Sequence, residues 1–157
     1  MHSTLVRPVR RPDEITSQTP HPNHTPAPNR LALIDLAGVA GLSAVIAIHT
    51  SELSGKVEET AYLGLGYIAL IMASIVSIVL LAQRDARGWV LGGLTTAATA
   101  IGFVLTRTTG LPGATGDIGN WGETIAVWSL IAEGAVVVLS LIALTSVRRR
   151  EVGHRSV

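Results

Sequence analysis

The sequence predicts an all-α fold, an up-down-up-down four-helix transmembrane bundle with a disordered N-terminal tail. Three observations predict it. First, four apolar runs (31–50, 61–82, 88–106 and 123–147) each lie close to the ~20 residues a helix needs to cross the hydrocarbon core of a bilayer. Second, the connections between them, 51–60, 83–87 and 107–122, are short enough to make neighbouring spans antiparallel. Third, hydrophobic residues make up 48% of the chain and mean hydropathy is +0.45, although the first 30 residues contribute almost nothing to either. Helices of a soluble bundle carry polar stripes, and these runs do not.

Residues 1–30 hold six of the seven prolines, along with Arg7, Arg10, Arg11 and Arg30. Such sequence cannot bury enough apolar surface to order itself, so it is expected to be a disordered cytoplasmic tail. His21 and His24 lie within it as an isolated pair, and the neighbouring prolines keep a helix from presenting them. The run after the tail is longer than the 7–15 residues of a signal h-region, so it is expected to be a retained first span.

Span one (31–50) carries His49 beside its last residue, placed by this boundary at the membrane edge, and Asp35 near its other end, where Arg84, Arg87 or Arg148 are candidate partners. Small residues, Ala37 and Gly41 with Ala40 and Ala44 beside them, allow close helix approach. Span two (61–82) sets Tyr62, Gly66, Ala73 and Ser77 on one face. Span three (88–106) carries Gly88, Gly92, Thr95, Thr99, Gly102 and Thr106 at spacings of four and three, a continuous small and polar stripe suited to packing. Span four (123–147) contains Glu133. A carboxylate at bilayer depth carries a penalty of roughly 2.5–3.5 kcal/mol on insertion scales, which makes it a candidate functional residue by default. Ser129 and Ser140 share its helix face, and Thr99 and Thr95 are the expected partners on span three. Residues 148–157 form a basic C-terminal tail, expected to be cytoplasmic.

Ten of the twelve basic residues fall in the tail, the second connection and the C-terminus. By the positive-inside rule both termini are cytoplasmic, and the chain is expected in a bacterial cytoplasmic (inner) membrane. Lys56 and Arg107 are left on the outer side beside Glu52, Glu58, Glu59, Asp117 and Glu123, so the outer face is acidic. His49 and Glu52, three apart, project from one helix face. With Glu59 and Glu123 at similar height they form a candidate donor set for a divalent metal such as zinc, manganese or iron. Glu133 lies about 15 Å below Glu123 at ~1.5 Å per residue, so His49 and Glu133 are not expected to share one metal. The expected arrangement is two tiers, an outer acidic vestibule and a buried carboxylate beneath it. The third connection places a glycine at every third position from Gly110 to Gly122; Asp117 and Trp121 can fold it over the bundle as a lid, with Arg107 at its base.

The absence of cysteine excludes disulfides, Cys-ligated zinc, iron–sulfur clusters and thiol catalysis. Only His49 stands within a span, so bis-histidine haem is excluded as well. No Ser-His-Asp order or HExxH helix appears, which argues against an enzyme, and nothing points to nucleic acid.

The segments His49…Glu58-Glu59…Tyr62-Leu-Gly-Leu-Gly-Tyr67 and Leu105-Thr-Arg107-Thr-Thr-Gly-Leu-Pro-Gly113…Asp117-Ile-Gly-Asn-Trp121 resemble those of small bacterial four-span membrane proteins of unassigned activity. The resemblance covers residues 31–147. It implies an outer histidine ending span one, an acidic-aromatic opening of span two and an Arg-Thr-x-Gly-Leu-Pro turn after span three. Here Thr60 replaces a typical aromatic, and a second histidine is replaced near Gly55-Lys56.

The leading expectation is a non-enzymatic membrane protein with an acidic outer-face site for a metal or other cation. The alternatives are a proton- or cation-coupled small transporter using Glu133, and an accessory subunit of a larger membrane complex. The lipid bilayer is the expected environment, with a homo-oligomer or such a complex as candidate assemblies.

Overall fold

The computed structural model describes residues 30–154, with side chains described for 32–146. Four helices follow one another: α1 (Arg30–Glu59), α2 (Ala61–Ala82), α3 (Arg87–Thr108) and α4 (Thr124–His154). Each contains a stretch long and apolar enough to cross a membrane, and the chain is a four-span, all-α bundle of up-down-up-down topology. Each helix packs along two neighbours, and contact between α1 and α4 closes the ring. The predicted tail, including His21 and His24, lies outside the described residues except for Arg30. Helical geometry in α4 continues beyond the expected end of span four to His154.

The first connection differs from expectation. Residues 51–59 extend α1, leaving Thr60 as the single non-helical residue before α2. Thr60 is extended (φ −156°, ψ 140°). The reversal that follows presses α2 onto the end of α1. A Cβ at Gly64 would lie 2.5 Å from Val57 Cγ2 and 3.0 Å from its Cα, so glycine is what fits there.

The two ends of the bundle are built differently. Toward the α2–α3 connection, Leu42, Leu81, Trp89, Val136 and Ala143 form a packed core. Small residues let the backbones meet: a Cβ at Gly88 would lie 2.9 Å from Ser77 O and Leu81 N, and one at Gly41 2.8 Å from Val136 Cγ2. Gly38 leaves room for the Trp89 ring, whose Nε1 donates to Asp35 Oδ1 at 3.1 Å. Among the described residues Asp35 makes no ion pair with Arg84 or Arg87, and the side chain of Arg148, the third expected partner, lies outside them. Toward the other end the helices part around a cavity.

Apolar side chains cover the outside of the ring. Leu65 on α2 is 66% exposed and Leu94 on α3 is 67% exposed. Surfaces of that kind are stable in contact with lipid, in agreement with bilayer residence.

Candidate functional site: a roofed cavity over a buried His–Glu pair

A cavity of about 570 Å³ occupies the half of the bundle nearest the α1–α2 and α3–α4 connections, lined by all four helices. The small-polar stripe of α3 divides between two tasks. Gly88 and Gly92 pack against α2 and α1, whereas Thr95, Thr99, Gly102 and Thr106 line the cavity wall.

At its floor lie His49 and Glu133, 3% and 1% exposed. Their depths match because α1 runs ten residues beyond His49 and α4 begins about as far above Glu133. His49 Nε2 is 3.5 Å from Glu133 Oε1. The expectation that these residues are too far apart to meet is therefore corrected, and so is the placement of His49 at an outer edge. Both errors came from ending span one at Thr50. Ser129 Oγ, one turn before Glu133, donates to the same Oε1 at 3.0 Å. Glu133 Oε2 is buried and finds no hydrogen-bond partner among the described residues.

The proton inventory of the pair follows from its partners. His49 Nδ1 is 2.9 Å from Val45 O. A carbonyl can only accept, so the network assigns a hydrogen to Nδ1. Nε2 then faces Glu133 Oε1 with a lone pair unless a proton lies on one of them. Two bare lone pairs facing each other in a buried site repel, and one proton on either group would relieve that repulsion. The net charge of the pair is then zero in either arrangement, which is what a low-dielectric site tolerates. The Tyr67 ring packs on the imidazole, centroids 4.9 Å apart and tilted by 57°.

Thr95 and Thr99 line the cavity with Glu133 but do not bond to it; Thr99 Oγ1 donates to Thr95 O at 2.9 Å. The fully buried threonine is Thr96, which donates to Gly92 O at 2.9 Å.

Above the floor sits a charged roof. Arg107, 5% exposed, bridges Asp117 (Nη1–Oδ1 2.7 Å) and Glu123 (Nη2–Oε2 2.6 Å). Its guanidinium also lies 5.1 Å over the Phe103 ring. Lys56 joins Glu59 at 2.7 Å and Asp117 at 3.2 Å, tying α1 to the third connection. Tyr62 Oη donates to Pro112 O at 2.8 Å and ties α2 to the same segment. Gly110, at φ +71°, closes α3 by donating to Leu105 O at 2.9 Å, a left-handed terminus that favours glycine. Gly119 N donates back to Arg107 O at 2.9 Å. The connection thus lies over the bundle, with Leu111, Ala114 and Asp117 lining the cavity. Trp121 stands at its edge, 48% exposed, its ring edge-on to Phe103 at 6.1 Å.

Burial raises the Asp117 carboxyl, but the hydrogen bonds and charges of Arg107 and Lys56 outweigh it and hold Asp117 below its ordinary value. His49, Glu52, Glu59 and Glu123, the proposed metal set, all line the cavity but do not gather into one donor group. His49 faces Glu133, Glu59 faces Lys56 and Glu123 faces Arg107. Among the described residues no group of three or more His, Cys, Asp or Glu is placed to hold a metal ion. The reading of an acidic, metal-binding outer face is therefore replaced by one of buried and internally paired charges. Glu52 lines the cavity one turn above His49.

No protein-family model, curated protein or solved structure matches this chain. The resemblance to small four-span bacterial proteins is accordingly withdrawn: the outer histidine on which it depended is buried against Glu133.

Proposed function

We propose that this protein is a small proton-coupled membrane transporter in which the His49–Glu133 pair is the proton-carrying site. The observation that carries this reading is the pair itself: two titratable groups, 3.5 Å apart, buried at the floor of a cavity closed beneath by apolar packing. Ionisable side chains inside a membrane bundle face its interior and mark proton relays and ion pathways. A pair that shares one proton can release it or take up a second with small rearrangement, because imidazole and carboxyl each serve as donor or acceptor. Glu52 lies between roof and floor as an intermediate stop.

The distribution of basic residues supports a bacterial cytoplasmic membrane with both termini on the cytoplasmic side. In that orientation the roof and cavity belong to the outer half, and the packed core of Leu42, Leu81, Trp89, Val136 and Ala143 is the inner seal. The structure then corresponds to the inward-closed arm of an alternating-access cycle. The reading is tested by proton flux into proteoliposomes under an imposed pH gradient. Wild-type flux that Glu133→Gln abolishes supports it, and a wild type without flux sinks it.

A further inference from the structure

We infer that the cavity takes a lipophilic amine, an apolar body bearing a protonated nitrogen, which enters from the bilayer between α2 and α3 and exchanges for the proton of the His49–Glu133 pair. The inference rests on the proton-carrying reading of that pair and adds to it the substrate class and the route.

Two independent features point to this ligand. The first is at the floor. Glu133 Oε2 is an acceptor without a donor, on a side chain 1% exposed that lines the cavity. A bare metal ion needs several oxygen ligands. The site offers one unfilled carboxylate oxygen and no cluster of three ligating side chains among the described residues. A single contact of this type suits an ammonium N–H. The volume, about 570 Å³, lies in the range of pockets that enclose organic molecules. Leu70, Ala73, Phe103 and Ile125 supply apolar wall.

The second feature is the opening. The third connection and its ion pairs cover the aqueous end, but the flank between α2 and α3 is thin. Gly66, Ala69 and Ala98 line the cavity and are exposed, so no packed element covers them. A Cβ built at Gly66 or at Gly102 meets nothing within 4 Å, whereas one at Gly88, in the lower half of the same seam, strikes α2 backbone. The seam is thus shut below and loosely packed at cavity height, and that is where the amine enters from the bilayer in this proposal.

The exchange balances. An ammonium R-NH₃⁺ entering the neutral pair takes the place of its shared proton, donating one N–H to His49 Nε2 and another to the Glu133 carboxylate, again with net charge zero. One proton leaves for each amine that binds, so the amine-loaded site is neutral like the empty one; without amine the pair still passes protons by itself.

The test uses full-length protein in lipid nanodiscs and 1-naphthylmethylamine as the probe, read by its fluorescence and by proton release into weakly buffered solution. Saturable binding with about one proton released per amine is expected from the exchange of one ammonium for one shared proton. Glu133→Gln should weaken binding at least tenfold while preserving elution volume and helicity, and Glu133→Asp should recover part of it. The double variant Gly66→Leu/Gly102→Leu, which narrows the cavity wall between α2 and α3 without changing the His49–Glu133 pair, should slow association at least fivefold. Absence of saturable binding, equal affinity in Glu133→Gln, or equal binding of 1-naphthalenesulfonate overturns the inference. If the amine fails to bind while Glu133-dependent proton flux persists, the substrate class falls and the proton reading stands. If neither is seen, both fall.

Discussion

Glu133 presents two oxygens in unequal circumstances: Oε1 receives Ser129 and faces His49, whereas Oε2 is buried without a partner. A buried acceptor left bare is destabilising by about 1–3 kcal/mol, a cost that the proposed proton or ligand would offset when it visits. Ser129 was legible as its companion, because residues four apart share a helix face. His49 was not. Its partner lies on another helix, and depth on one helix relative to another depends on where each ends. Arg107 is the second residue whose chemistry the fold determines. Its fork engages two carboxylates at once, which lysine cannot reproduce. Arg107→Ala should lower stability by about 1.5–3 kcal/mol, the range for hydrogen bonds to charged groups, toward the low end because Asp117 and Glu123 reach solvent. Arg107→Lys should recover less than half of the loss. Thermal unfolding in mild detergent checks both, and an unchanged midpoint for Arg107→Ala would remove the roof from the account.

At the scale of elements, the four spans were legible because apolar length is a strong signal. The first connection is not legible, because polar sequence such as Ser51–Glu59 suits a loop as well as a helix; those residues carry α1 up to the roof, where Lys56 and Glu59 find charged partners. The stripe on α3 was legible as small and polar, but not its division into packed and cavity-lining halves. That division yields a prediction. Gly88→Ala forces a Cβ to 2.9 Å from α2 backbone and should lower stability by about 1–3 kcal/mol, as overpacking does. Gly66→Ala enters open space and should be tolerated. Equal effects in the same unfolding assay would contradict the open seam.

The third connection has its own pH signature. Asp117 titrates below its ordinary 3.8 in the folded state, so its contribution is fully present above that value and is lost as pH falls through the depressed one. In a variant retaining Trp121 as the sole tryptophan, fluorescence should stay constant from pH 7 to about 5 and change only below about 4, the unfolded Asp range. A transition between pH 5 and 7 would contradict the Arg107–Asp117–Lys56 tie.

For the whole molecule, the asymmetry of the bundle is the functional statement: a cavity with a titratable floor at one end and a tight apolar seal at the other. Basic residues suggest the direction proposed for that asymmetry, whereas the cavity itself could not be read from sequence, since it depends on how far four helices part. Cysteine introduced at exposed Thr115 should react with a membrane-impermeant maleimide in intact cells, and at exposed Arg84 only after permeabilisation; the reverse pattern would invert the proposed orientation.

The central claim is that the buried pair carries protons, and proton flux in proteoliposomes tests it most directly. Wild-type protein under an imposed pH gradient should acidify or alkalinise the lumen well above protein-free vesicles. Glu133→Gln, matched for insertion and helicity, should fall to the protein-free rate. Flux in Glu133→Gln equal to that of the wild type would contradict the account.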